Sequence, residues 1–185
     1  MVSLAEFGTV VDIRISFALT STIREAAYAM ALYFEPPILL EFDPQCSICD
    51  HRKGAVVELG AGNGFLGLKL ARMLSLRQGE CSHALRTLVL TDLDAVCPLL
   101  ERNCVNKFTT TADLPSVNLV VQSLEWGNLD HGLRLADRLM YRDSPSRFDP
   151  SDPLLSHIVC SDLVSMCYTI FLQLSKCFLC LGLFS

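Results

Sequence analysis

The sequence predicts an α/β fold: a mostly parallel sheet with helices on both faces. Two observations lead there. First, short apolar runs recur at 55–59 (AVVEL), 85–91 (LRTLVLT), 117–122 (VNLVVQ) and 157–160 (HIVC). Runs that are apolar on both faces suit strands buried on both sides, as parallel sheets require. Second, segments of good helix formers separate the runs, and strand–helix alternation over one chain makes a parallel sheet with right-handed crossovers. The length of 185 residues and the apolar share of 51% fit one core, which at this size buries roughly 70% of the extended chain's surface.

Taken in order, residues 9–17 (TVVDIRISF) partly alternate and read as a strand or hairpin arm. Thr22 with Glu25 three residues later has capping-box spacing, and the helix REAAYAMALYF follows. Pro36-Pro37 stops it, and 38–54 reads as loop. The strand Ala55–Leu59 leads through a glycine cluster into a helix over 66–76. The strand 85–91 leads into a helix over 92–106. After the third strand, 129–151 is charged, carries prolines at 145 and 150, and reads as a surface insertion. The strand 157–160 follows. Three parts are expected: 1–54 before the core, a core over 55–164, and an apolar tail over 165–185.

The net charge is −5, from 15 basic and 20 acidic residues. Such a chain lacks the positive field that draws nucleic acid, and no nucleic-acid partner is expected. Arg134, Arg138, Arg142 and Arg147 alternate with Asp130, Asp137, Asp143 and Asp149, which is a balanced solvated face. The nine cysteines are odd in number and sit mostly in apolar stretches. With no apolar signal region at the N-terminus, reduced thiols in the cytosol or nucleus are expected. Residues 163–185 carry one charge, Lys176. By length they are a transmembrane candidate. Gln173, the hydroxyl residues and the lack of basic flanks favour a helix over 165–175 and a strand over 177–184, so a membrane is not the expected partner.

The informative segment is Val56-Val57-Glu58-Leu59-Gly60-Ala61-Gly62-Asn63-Gly64-Phe65-Leu66-Gly67. A buried strand delivers an acid, and glycines then turn the chain into a helix. Without a Cβ, a ligand can approach the backbone, and the helix start offers unpaired N–H groups. The second strand ends in Thr91-Asp92, where a carboxylate can accept both hydroxyls of a ribose. Glu58, two residues before the first glycine, would repel a pyrophosphate and suit an ammonium. S-adenosylmethionine carries an ammonium and a ribose and no phosphate.

ELGAGNGFLGLKLA, VLTDLDAVCPLLERN, SLEWG and HIVCSDLV together resemble the seven-stranded, S-adenosylmethionine-dependent methyltransferases with the Rossmann-like class I fold. The branch most similar methylates lysines of non-histone proteins such as elongation factors and chaperones. The resemblance covers about residues 8–164. It implies that the Glu58 region with Gly60, Gly62 and Gly64 holds the methionine part, that Asp92 holds the ribose, and that Trp126 lies against the adenine. It implies that Asp162 stands at the active-site mouth, where it orients the lysine of a protein substrate. Two positions depart from the pattern: Arg24 stands where the family has tryptophan, and Ser165 where an Asp-x-x-Tyr motif needs tyrosine. From Val164 onward the resemblance stops, so the family's last strands are expected to be missing. The alternative reading is therefore a truncated, catalytically inactive variant that binds at most cofactor or a partner, or a membrane-tethered product.

Cys46-x-x-Cys49 with His51, and Cys177-x-x-Cys180, have zinc-ligand spacing within each pair, but the pairs lie too far apart in the chain for a usual site, and no metal is expected. His131 and His157 stand alone and read as surface or capping residues.

Overall fold

In the computed structural model, residues 25–39, 41–48, 54–77, 86–108, 114, 116–140 and 155–161 are described. Among them are α1 (Glu25–Phe34), β1 (Ala55–Leu59), α2 (Phe65–Arg77), β2 (Arg86–Asp92), α3 (Cys97–Lys107), β3 (Val117–Ser123), α4 (Leu129–Met140) and β4 (Leu155–Val159). The strands form one sheet in the order β3-β2-β1-β4, and every pairing is parallel. This is the α/β, Rossmann-like arrangement expected. The order reverses between β1 and β4, and a crevice at the carboxyl ends of the strands belongs at such a switch.

The central strands are buried on both faces for a reason visible in their alternation. Val56, Leu88 and Leu90 join Ala27, Ala31, Phe34, Leu66, Leu70, Leu74 and Leu100 in one core. Ala55, Val57, Leu59 and Val89 join Leu135, Ala136 and Leu139 in another. Helices α1, α2 and α3 therefore cover one face, and α4 covers the other. Tyr28 and Phe65 rings, 4.8 Å apart, join α1 to the start of α2.

The helix α4 corrects the reading of 129–151 as a surface insertion. Leu135, Ala136 and Leu139 are buried while Asp130, Arg134, Asp137 and Arg138 face outward or sideways. The balanced charges conceal an amphipathic helix, whose buried positions 135, 136 and 139 fall on one face. Asn128 caps it, its Oδ1 accepting the His131 N–H at 3.3 Å, and His131 Nδ1 accepts the Glu125 N–H at 3.0 Å. A second correction is smaller. The helix expected from 92 begins at Cys97, because Asp92 still belongs to β2 and 94–96 form a turn.

At the amino end of the sheet, Arg86 is only 4% exposed. Its guanidinium donates to the Ile48 carbonyl and, at 3.2 Å, to Ser156 Oγ. Ser156 in turn donates to the Ala55 carbonyl at 2.9 Å. One side chain of β2 thus reaches across β1 to β4 and to the loop before the sheet.

The strand expected at 9–17, the capping residue Thr22, Arg24, Asp162, Ser165 and the tail lie outside the described residues. Among the described residues no helix is long and apolar enough to cross a membrane.

Candidate functional site

Three segments meet at the carboxyl ends of β1, β2 and β3. The first is the turn after β1. Gly60, Gly62 and Gly64 have φ of +66°, +58° and +84°, a region that side chains with a Cβ avoid. The turn is tied to the neighbouring strand. Ala61 N–H donates to the Thr91 carbonyl at 2.9 Å, and Gly62 N–H donates to Asp92 Oδ2 at 2.7 Å. Gly64 N–H closes the turn on the Ala61 carbonyl at 2.8 Å. A Cβ added at Gly62 would meet nothing within 4 Å, so the turn presents open backbone there.

The second segment is the end of β2. Besides the Gly62 N–H, the Asp92 carboxylate accepts the Leu93 N–H through Oδ1 at 2.7 Å. A carboxylate has about four lone-pair sites, so acceptor capacity remains on both oxygens. The third segment follows β3. Leu124 N–H donates to the Asp92 carbonyl at 2.8 Å, which draws the Ser123–Gly127 stretch against the end of β2. Trp126 is half-buried, and its Cζ2 lies 3.6 Å from where a Gly60 Cβ would be. The tryptophan therefore stands over the first glycine of the turn.

Glu58 sits beneath this turn rather than beside it. It is 1% exposed, it lies on the α2 side of the sheet, and its Oε2 has no hydrogen-bond partner. Burial, with the charge of Asp92 second, pushes its carboxyl up to about 8, against the downward pull of the Gly67 N–H. At neutral pH the group is mostly protonated. The expectation that Glu58 repels a pyrophosphate by its charge thus loses force in the free protein. Gly67 is glycine for a packing reason, since a Cβ there would collide with Glu58 and Leu90.

Two further residues were missed in the sequence. Asn63 and Asn103 are both buried. Asn63 Oδ1 accepts the Phe65 N–H at 3.0 Å, an Asx turn that starts α2. Its carbonyl accepts from Asn103 Nδ2 at 2.9 Å. An Asn inside a glycine cluster is a turn signal that could have been read. Asn103 follows Leu100 by three residues, and a polar residue on an apolar helical face was the signal there. Nearby thiols are held in the protonated form: burial raises the Cys97 thiol, and pushes the Cys104 thiol up to about 11.

The structure brings Glu58, Gly60, Gly62, Gly64, Asp92 and Trp126 to one end of the sheet, while Asp162 lies outside the described residues. The donor set fits S-adenosylmethionine. An open glycine cradle faces a carboxylate with spare lone pairs, a buried acid with an orphaned oxygen lies below, and an aromatic ring stands alongside.

The comparison with family models agrees. The model of a family described as lysine methyltransferase matches residues 15–141. No curated protein matches the chain. Among solved structures, the chain is similar to the O-methyltransferase TomG from Streptomyces achromogenes, involved in tomaymycin synthesis and solved in complex with S-adenosylmethionine. The identity is 17% and the TM-score 0.34, with 84% of this chain and 63% of that chain covered. The chain thus spans under two thirds of that protein's length.

Proposed function

We propose, for a chain that belongs to the lysine methyltransferase family, that its activity is transfer of a methyl group to a lysine side chain of a protein. S-adenosylmethionine is the cofactor, and when bound it supplies a methyl group already activated on a sulfonium. The chain's own residues bind and position. In this reading the backbone at Gly60, Gly62 and Gly64 lines the methionine part. Asp92 accepts from the ribose hydroxyls with the lone pairs that Gly62 and Leu93 leave free. Glu58 releases its proton as the ammonium arrives and then opposes it with negative charge, and Trp126 gives a wall for the flat base. Asp162 orients the amine of the incoming lysine.

The observation that carries the reading is the Asp92 carboxylate, held by two backbone N–H groups at the glycine turn. A second reading, that the chain binds cofactor without transferring methyl, is favoured by Ser165 in the position where the resemblance expects tyrosine. Calorimetry with S-adenosylmethionine and labelled-methyl transfer to proteins of a cell extract separate the two. Asp92→Ala should weaken the cofactor by about 1.5–3 kcal/mol, the range for hydrogen bonds to a charged group. Binding should also change the emission of Trp126, the chain's single tryptophan. Unchanged affinity in Asp92→Ala would sink the site. Labelling by the wild-type chain would remove the second reading.

A further inference from the structure

The glycine turn is fixed from two directions. The end of β2 holds it through Ala61 and Gly62. The other hold comes from the body of α3, a helix that follows the ribose acid and lends no backbone to the turn. Asn103 in that helix is 7% exposed. Its Nδ2 donates to the Asn63 carbonyl at 2.9 Å across forty positions of sequence. One helical turn earlier, Leu100 packs on the same loop, where its Cδ1 lies 2.6 Å from the position of a Gly64 Cβ. Leu100 and Asn103 share a face by their spacing. The first forbids a side chain at Gly64, and the second chooses the orientation of the peptide before it.

That choice matters because the Asn63–Gly64 peptide is the hinge of the turn. Its carbonyl is taken by Asn103. The amide of the same peptide, Gly64 N–H, points to the Ala61 carbonyl at 2.8 Å. The plane of the peptide is therefore fixed at both ends. Without the Asn103 donor, the Asn63 carbonyl is a buried acceptor with no bond from that helix. A peptide flip that exposes it to water would then relieve the penalty of burying it. Such a flip would turn the Gly64 N–H away from Ala61 and disturb the backbone on either side, Gly62 included.

We propose that Asn103 is a positioning residue for the cofactor. It presets the glycine turn that receives the methionine part and has no contact with the adenosine part. The inference rests on the proposed function, in which the turn holds the methionine moiety and Asp92 the ribose. It makes α3 the element that couples the two halves of the ligand, because the helix follows directly on the Asp92 strand and grips the turn from its second turn.

The test uses two probes on the full chain: S-adenosylmethionine, and 5′-methylthioadenosine, which keeps the adenosine and lacks the amino-acid part. Affinities are measured by calorimetry at low temperature, where circular dichroism shows each variant folded. Asn103→Leu keeps the size and removes the donor. It should weaken S-adenosylmethionine about tenfold, the order of one buried hydrogen bond, and change 5′-methylthioadenosine by less than about twofold. Asn103→Ala, a good helix former, should show the same selective loss and serves if the leucine variant does not fold. Asn103→Asp sets an oxygen against the Asn63 carbonyl and should lose the most. Equal weakening of both probes would mean that Asn103 merely holds the fold, and equal retention of both would mean that the turn is set without it. Either result overturns the inference while leaving the proposed function standing. A wild-type chain that binds neither probe overturns both.

Discussion

The two ends of the sheet bury an ionisable side chain each and use it in opposite ways. At the amino end, Arg86 donates to the Ile48 carbonyl and to Ser156, and Ser156 donates on to Ala55. The two terminal nitrogens of Arg86 are answered by protein groups, and the result joins three strands and a loop. At the carboxyl end, Glu58 is as deeply buried, yet its Oε2 has no hydrogen-bond partner, and Asp92 spends only part of its acceptor capacity. The glycines there stand at positive φ, and Gly62 opens on empty space. A buried polar group left short of partners costs stability. A fold retains that cost where a ligand can answer it, and violations of local rules gather at such sites.

Arg86→Ala breaks the first half of the comparison most severely. It removes two charge-assisted hydrogen bonds and leaves the Ile48 carbonyl without its donor. The expected cost is about 3–5 kcal/mol, read as a shift of the denaturant midpoint. Because Arg86 lies at the opposite end of the strand from Asp92, cofactor affinity of the folded fraction should not move. An affinity loss matching the stability loss would show that the two ends are not separate.

Glu58→Gln acts at the other end, with the opposite sign. The carboxyl titrates at 4.5 without perturbation and at about 8 in the fold. Between those values the native state holds a proton that the unfolded chain has released, so stability falls as pH rises. Below 4.5 both states are protonated and the deficit vanishes, whereas above 8 it levels off. At pH 7 it amounts to about 3 kcal/mol. The glutamine, always neutral, should therefore be more stable than wild type at pH 7–8 and equal to it near pH 4. It should also bind S-adenosylmethionine less tightly, because it can offer no charge to the ammonium. Melting temperatures of both chains across pH 4–9 check this. Parallel curves would show that Glu58 does not titrate between those limits.

The legibility of the two ends differs for a physical reason. AVVEL, LRTLVLT and VNLVVQ announced their strands because parallel burial on both faces leaves a continuous apolar run, and the observed bounds fall within a residue or so of the reading. The glycine turn and Asp92 were legible because positive φ and a strand-end acid are local requirements. The partners of Arg86, and the pairing of Asn103 with the Asn63 carbonyl, were not. These contacts span 38, 70 and 40 positions, and one sequence holds no record of such pairs. Helix α4 was hidden for a different reason. Its charges Asp130, Arg134, Asp137 and Arg138 stand out in the sequence, while the three residues that dock it, Leu135, Ala136 and Leu139, occupy a narrow stripe.

The smallest expected effect on stability separates binding from folding most cleanly. Gly62 has φ +58° and no atom within 4 Å of an added Cβ. Gly62→Ala therefore meets no steric neighbour, and its cost is the left-handed backbone alone, about 1 kcal/mol. The same methyl would project into the space that the turn leaves open beside the N–H bound to Asp92. If that space receives the methionine part, the variant should melt a few degrees lower and lose S-adenosylmethionine binding by more than about tenfold, well beyond what the stability change can cause. The contrast with Arg86→Ala is then complete: a large stability loss with affinity intact at one end of the sheet, and a small one with affinity gone at the other. Calorimetry and thermal melts on both variants measure it. Undiminished affinity in Gly62→Ala would show that the open backbone at Gly62 faces solvent alone, and the ligand would have to be sought elsewhere along the strand ends.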